Sequence, residues 1–432
     1  MVLEKQTMDP AKREFEKWMP GAHIGDDLKV KGSGAVHVEY YVLADLAQGG
    51  NKSILLEDYT RATQVLHVEH VNTRKEYIAK VIYDAPYNTE VKNQLDICRL
   101  ALGKLPNIIK TVGTASTVSN NKVCRVLLME RGHRFKTHYQ LVRKSAKTKQ
   151  TVADFHLSLV FQILYALHFL HFHFYQHRDI RQENMVFEMV DDDMGQYENE
   201  TYRLGEYVFS IPVKFNSFWC IPKIIDFGLS INLANDEDQG NTTAYVAVHR
   251  PPDLVFSDGL RRLEIRNTDE LFALGMCLFY MIYPLFELGA LKDLLFKKLC
   301  TLVEDLKANE LYELYHQYTT EETAYHAIAL VLLMGFPPID YRPFYTSAVG
   351  GMLFLFEEEI RSHPHYDLMA RTKPATYLGQ HGELMKILRK LIRWERSRRP
   401  LSAGHLLQNP LLFGRFRVAS STIAQWNATL GH

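Results

Sequence analysis

His177-Arg178-Asp179-Ile180-Arg181-Gln182-Glu183-Asn184, HRDIRQEN in one-letter code, lies between the apolar segment VADFHLSLVFQILYALHFLHF (152–172) and the apolar run Met185-Val186-Phe187. Alone, it reads as a charged, solvated loop. Two other stretches change that reading. Downstream, KIIDFGLS (223–230) places Asp226 before Phe227-Gly228, and upstream, EYIAKVIY (76–83) places Lys80 inside an apolar strand.

Asp179, Asn184 and Asp226 put three oxygen-bearing side chains on two loops, each beside an apolar strand. Such oxygens suit a hard divalent cation, and magnesium completes a shell of a few carboxylate or carbonyl oxygens with water and phosphate. The glycine after Asp226-Phe227 lets the backbone turn sharply. Lys80 needs a partner anion, because an ammonium buried without one is costly. A carboxylate for a hydroxyl proton, an amide and a second carboxylate for magnesium, and a lysine for phosphate are the parts of a phosphoryl-transfer site.

The order Ala79-Lys80, His177-Arg178-Asp179…Asn184 and Asp226-Phe227-Gly228 resembles the eukaryotic protein kinase family, over roughly residues 50–415. The resemblance implies a bilobal α+β fold, with a β-rich N-lobe carrying one regulatory helix and a larger, mainly helical C-lobe. It makes Asp179 the catalytic base, gives Lys80 the α- and β-phosphates of ATP, and makes Asn184 and Asp226 the magnesium ligands. Arg181 stands where serine/threonine kinases carry a lysine for the γ-phosphate; arginine keeps the charge but offers a planar fork. VLLMERG (126–132) is similar to the strand entering the hinge, with Met129 behind the adenine and Glu130, Arg131 and Gly132 offering backbone hydrogen bonds to the base. HRPPDL (249–254) and ELFALG (270–275) are similar to two further family segments, and Arg399 in RSRRPLSAGHLLQNPLL (396–412) would pair with Asp253. The implied substrate is a protein hydroxyl.

Six further positions depart from the family pattern. The glycine places of the nucleotide loop hold Asp58, Thr60 and Thr63. Asp96 takes the place of the acid that pairs with Lys80, with Glu90 as the fallback. Val246 replaces a threonine, and Glu270 replaces an aspartate unless the neighbouring Asp269 takes over. Two readings follow: an active serine/threonine kinase, or a pseudokinase scaffold that acts through partner binding.

Periodicity agrees with a two-part chain. Short β-branched runs such as VLHVEHV and VCRVLLME dominate from about 35 to 130, with one helical pattern at 91–105. Beyond 150 the pattern turns helical, in 152–172, 270–283 and 383–392. We expect an N-terminal extension (1–50), an N-lobe (51–130) and a C-lobe (131–432) with insertions near 188–220 and 285–380. The acidic stretch 191–207 reads as a solvated loop, and 285–380 as a surface for a protein partner.

Fifty basic residues balance fifty acidic ones, so no global field favours nucleic acid or an anionic membrane. Five scattered cysteines point to a reducing cytoplasmic or nuclear setting rather than a disulfide framework. The most apolar stretches, such as 277–291, are broken by Pro284 and Glu287 and fall short of a membrane span. His168, His171, His173 and His177 could share a metal, but their alternation with large aromatics favours packing, with His177 bracing its loop. Arg178 could grip a phosphate on Thr242, Thr243 or Tyr245, or meet the acidic run 236–239 instead.

Overall fold

Runs rich in β-branched and aromatic residues become strands, and longer apolar runs become helices. The computed structural model describes residues 28–30, 63–70, 76–82, 88–101, 107–119, 122–190, 198–234, 267–282, 382–393 and 396–419, with isolated positions at 251, 297, 300, 301, 304 and 362. Strands β1 (Leu28–Val30), β2 (Thr63–His70) and β3 (Glu76–Ile82) precede helix α1 (Asn88–Ala101). Then come β4 (Thr111–Ser119), β5 (Lys122–Glu130), β6 (Gly132–Arg134), α2 (Phe135–Ser145) and α3 (Lys149–Phe172). β7 (Tyr175–Gln176) and β8 (Met185–Glu188) lead to two hairpins, β9 (Asn199–Leu204) with β10 (Tyr207–Pro212) and β11 (Lys214–Phe215) with β12 (Phe218–Trp219). β13 (Pro222–Ile224), β14 (Ile231–Asn232), α4 (Asn267–Ile282), α5 (Gly382–Leu391), α6 (Ala403–Leu407) and α7 (Pro410–Phe413) complete the described elements.

The chain divides into two compact units. The first comprises residues 1–134, 186–191 and 221–230, and the second the remainder. In the first, a five-stranded antiparallel sheet runs in the order β1-β2-β3-β5-β4. Ala79, Ile82, Val126, Leu127 and Leu128 are buried in it, with Ile97 of α1. Lys80 lies in the middle strand, opposite Val65 on one side and Leu127 on the other. Strand β4, TVGTASTVS, has few large apolar residues, but its β-branched threonines and valines favour a strand, and it pairs with β5. A second sheet, β13-β8-β6, draws residues 186–191 and 221–230 into this unit. Its β13 is fixed on the other side by a parallel bridge from Ile108 to Ile224 and by the Ile109 amide on the Ile224 carbonyl at 3.0 Å.

Helix α3 is the centre of the second unit. Thr148 caps it by accepting the Thr151 amide at 3.1 Å. Among the described residues one helix, Gln150–Phe172, is long and apolar enough to cross a membrane by length and composition, where the sequence reading expected no span. Seventy-two per cent of its apolar window is buried inside the protein, so its composition is that of a core helix. Its polar groups are answered within the unit: Ser158 donates to the Pro212 carbonyl at 2.6 Å and Gln162 to the Cys220 carbonyl at 3.0 Å.

The hairpin β9–β10 corrects the expectation of a solvated loop. Tyr202, Leu204, Val208, Phe209 and Ile211 are buried, and Tyr202 and Phe209 pack on Phe161 of α3 with ring centroids 5.4 and 4.9 Å away. Along β9 the exposed Thr201 and Arg203 alternate with the buried Tyr202 and Leu204, so a one-sided strand hides inside a polar composition. The C-terminal segment then ties the hairpin down. Val418 donates to the Val208 carbonyl at 2.8 Å, and the Arg417 guanidinium lies 4.1 Å from the centre of the Tyr207 ring. Residues 191–197 and nearly all of 285–380 lie outside the described residues.

Phe161 is wholly buried among Tyr202, Phe209 and Phe413. Phe161→Ala is expected to destabilise the second unit by about 3–5 kcal/mol. Leu411→Ala, at an 82% exposed position, should change stability by less than about 0.5 kcal/mol. Urea unfolding of the two variants checks the contrast.

Candidate active site

In the first unit, Lys80 points from the middle of β3 into an ion cluster. Its side chain is 8% exposed, and its ammonium meets a carboxylate oxygen of Glu90 and, at 2.7 Å, Oδ1 of Asp226. Burial opposes the charge, but the two carboxylates outweigh it and hold Lys80 above the ordinary lysine range. Burial pushes Glu90 up, with Lys80 working against the rise.

The acid beside Lys80 is therefore Glu90, and the assignment of Asp96 is corrected. Asp96 lies six residues further along α1, half-buried, and pairs with Arg99 at 3.2 Å. Helix α1 (Asn88–Ala101) begins before the 91 expected from periodicity, so Glu90 falls in its first turn, where a carboxylate is favoured by the helix dipole. A glutamate there reaches Lys80 without drawing the helix closer to the sheet. Asn93, one turn on, donates to the Ser230 carbonyl at 2.8 Å and ties α1 to the segment after Asp226.

Asp226 has a left-handed backbone, with φ of 65°. A non-glycine residue there carries about 1–3 kcal/mol of strain, which the surrounding contacts must hold. Here these are the Lys80 ion pair, the Gly228 amide on Oδ1 at 3.3 Å, and the fully buried ring of Phe227. The turn expected at Gly228 is present, closed by the Ser230 amide on the Phe227 carbonyl at 3.1 Å, and the left-handed residue stands just before it at Asp226. Gly228 is needed for space, since a Cβ would stand 3.1 Å from Asp226 Oδ1 and 3.2 Å from Glu90 Oε2.

In the second unit the loop HRDIRQEN is held by Glu270 of α4. The carboxylate is fully buried; it accepts the backbone amide of Arg178 and a hydrogen bond from His171 Nε2 at 2.6 Å. Arg178 is the other left-handed residue of the motifs, with φ of 67°, and Glu270 fastens its amide. Burial alone would raise the Glu270 pKa, but His171 and the Arg178 amide reverse the effect and hold it below the ordinary glutamate value. His171 is thus a partner of Glu270, and the histidine cluster resolves into separate contacts. His177 accepts the Asp179 amide on Nδ1 at 3.2 Å.

Asp179 is buried and firmly oriented. Asn184 donates to its carbonyl at 3.0 Å and to Oδ2 at 2.6 Å, and Arg181 Nε lies 3.4 Å from Oδ1. Both amide hydrogens of Asn184 point to Asp179, which leaves its amide oxygen as the group to offer a cation. Asp269, next to Glu270, takes Arg396 at 2.5 Å and Arg399 at 3.4 Å. The two acids divide the work: Glu270 serves the loop, and Asp269 serves the arginines. Asp253, the expected partner of Arg399, lies outside the described residues, as do Asp58, Thr60, Thr242, Thr243, Tyr245 and Val246.

At the end of β5, Met129 is buried opposite Ile78, and the Glu130 amide donates to the Lys110 carbonyl at 3.0 Å. Gly132 opens β6 opposite Glu188. The family model for the protein kinase domain matches residues 61–412. The chain belongs to the protein kinase family. No curated protein matches the chain. Membership gives this kinase its bilobal α+β fold. Sequence reasoning passed over Lys223, and it read His171 only as a member of the histidine cluster and not as the partner of Glu270. Lys223 was findable by the rule used for Lys80, since it stands in an apolar strand between Pro222 and Ile224.

Two predictions follow from the kinase's buried charges. Glu90→Gln is expected to lower stability by about 1.5–3 kcal/mol, the size of a hydrogen bond to a charged group, whereas Asp96→Asn should cost under about 0.5 kcal/mol. Chemical denaturation distinguishes the two acids. Glu270 has a folded pKa below its ordinary 4.5, so its contribution is present above that value and is lost as pH falls through the folded pKa. The stability gap between the wild type and Glu270→Gln should therefore be widest near neutrality and narrow below about pH 4.5. Melting temperatures measured across pH would contradict this if the gap stayed constant.

Proposed function

We propose that this protein kinase transfers the γ-phosphoryl group of ATP to serine or threonine hydroxyls of protein substrates, in a magnesium-dependent reaction. The observation that carries this reading is the Lys80 ion cluster. A lysine held charged by a helix carboxylate and by Asp226 is preorganised for phosphate, and its burial keeps water from screening that charge. The pairing with Glu90 removes one of the departures that favoured a pseudokinase.

Each remaining residue has a role it can perform chemically. Asp179, fixed on both carboxylate oxygens, accepts the proton of the substrate hydroxyl. Arg181, beside it, meets the γ-phosphate with a planar fork. Hard oxygen donors are what magnesium requires, and Asp226 and Asn184 each offer one: the Asp226 side chain is 39% exposed while its partner Lys80 is buried, and the Asn184 amide hydrogens are committed to Asp179. Magnesium, when bound, neutralises charge on the phosphate oxygens. Lys80 places the α- and β-phosphates.

Incubation of the purified chain with ATP and magnesium, followed by mapping of phosphorylated residues, tests the reading. Phosphate is expected on serine or threonine, and Asp179→Asn should slow transfer by roughly 10²–10⁴-fold. Phosphate on tyrosine would overturn the specificity. Absence of transfer, together with no thermal shift by ATP-magnesium that Asp226→Ala abolishes, would place the chain with the pseudokinase scaffolds.

A further inference from the structure

Lys223 is a second buried lysine in the first unit, and nothing in the phosphoryl-transfer chemistry calls for it. It stands at the centre of β13, whose three residues are all buried, and is itself 5% exposed. Its ammonium lies 2.6 Å from Glu130 Oε1 and 3.2 Å from Glu188 Oε2. Those two acids lie on either side of one short crossover. Glu130 ends β5, directly after Met129, and Glu188 on β8 is the strand partner of Gly132, where β6 begins. One ammonium therefore ties together both ends of the segment Glu130-Arg131-Gly132.

The anchor itself is rigid. Asn107 donates to the Pro222 carbonyl at 3.0 Å, and the Ile224 amide donates to the Asn107 carbonyl at 2.9 Å, so β13 is held on both sides of Lys223. Glu130 is gripped three times: by Lys223, by the Lys110 amide on the same carboxylate oxygen at 2.9 Å, and through its own amide on the Lys110 carbonyl. At the other end β6 presses on β8, since a Cβ on Gly132 would stand 2.6 Å from Val186 Cγ2 and 2.9 Å from the Phe187 carbonyl oxygen. A three-residue backbone segment pinned at each end has its carbonyls and amides fixed before any ligand arrives, and such preorganisation raises affinity by removing an ordering cost.

We infer that Lys223 is a positioning residue for nucleobase binding: by clamping Glu130 and Glu188 it holds the backbone edge of residues 130–132 that reads the base. This rests on the nucleotide-binding reading proposed above, and it deepens that reading by assigning the base-dependent part of the affinity to an ion cluster remote from the phosphates. Lys223 acts through Glu130 and Glu188 and touches no phosphate.

Calorimetric titration of the full chain with ADP-magnesium and, separately, with inorganic triphosphate and magnesium, which has no base, tests the inference. Lys223→Met keeps the length of the side chain and removes the charge. It is expected to weaken ADP by about tenfold, equivalent to one orienting interaction of about 1.4 kcal/mol, and to leave triphosphate affinity as in the wild type. Lys223→Arg should recover most of the ADP affinity. Equal ADP affinity in Lys223→Met and the wild type, or an equal loss for ADP and triphosphate, would overturn the inference while leaving nucleotide binding intact. A wild type that binds triphosphate no more weakly than ADP also overturns it, since no base-dependent affinity then exists to assign. If the wild type binds neither probe, the nucleotide reading itself fails, and this inference with it. Should Lys223→Met fail to fold, Glu130→Gln, which retains an acceptor for the Lys110 amide, takes its place: selective weakening of ADP supports the clamp, and unchanged affinity overturns it.

Discussion

An ammonium in the middle of an apolar strand stays charged only where carboxylates come to meet it, and the first unit is organised by that requirement at Lys80. Strand β3 supplies the lysine, the first turn of α1 supplies Glu90, and the turn after β13 supplies Asp226. None of these segments can shift without stranding a buried charge, and stranding one is far costlier than the pair is stabilising. The cluster therefore acts as a specification of position. It fixes the angle at which α1 lies on the sheet, and through Asn93 and Gly228 it fixes how closely residues 226–230 approach that helix.

Backbone strain falls inside the two motifs proposed to carry the chemistry. Arg178 and Asp226 both adopt left-handed conformations that side chains disfavour. In each case a buried ionic contact holds the strained residue or its amide: the Lys80 pair for Asp226, and the Glu270 carboxylate for Arg178. The strain turns the following side chain to a direction an ordinary loop would not give. For Asp179 the result is a carboxylate with both oxygens placed by Asn184 and Arg181.

Much of this was legible in the sequence because spacing in a motif survives divergence of everything around it. Lys80, Asp179, Asn184 and Asp226 each announce themselves by a charge or amide beside an apolar strand. The pairing acid did not, because a count back from Leu105-Pro106 ranks the acids by position and not by which of them reaches the lysine. Glu90 in the first turn of α1 takes the contact, and Asp96 pairs with Arg99. The acidic stretch 191–207, read as a solvated loop, was misread over 199–207 for a different reason. A strand with one buried face has polar residues at every other position, so its mean composition resembles a loop, and only the alternation of Tyr202 and Leu204 with exposed neighbours reveals the buried side. β4 carried less apolar signal, since its threonines and valines favour a strand without the large apolar side chains of β5.

The division of labour between Asp269 and Glu270 shows how a departure from a family pattern can be absorbed. Glutamate is one methylene longer than the aspartate it replaces, so the backbone positions that suit aspartate leave it too much reach. Here the extra length is accommodated by a second partner: one oxygen accepts the Arg178 amide and the other meets His171 on α3. A fully buried carboxylate with only one hydrogen bond would pull its pKa upward and loosen the loop. With two bonds, one of them to an imidazole, it stays ionised. Glu270 and the histidine at 171 are thus a single structural feature, and the histidine is what makes the longer acid tolerable beneath the loop 177–184.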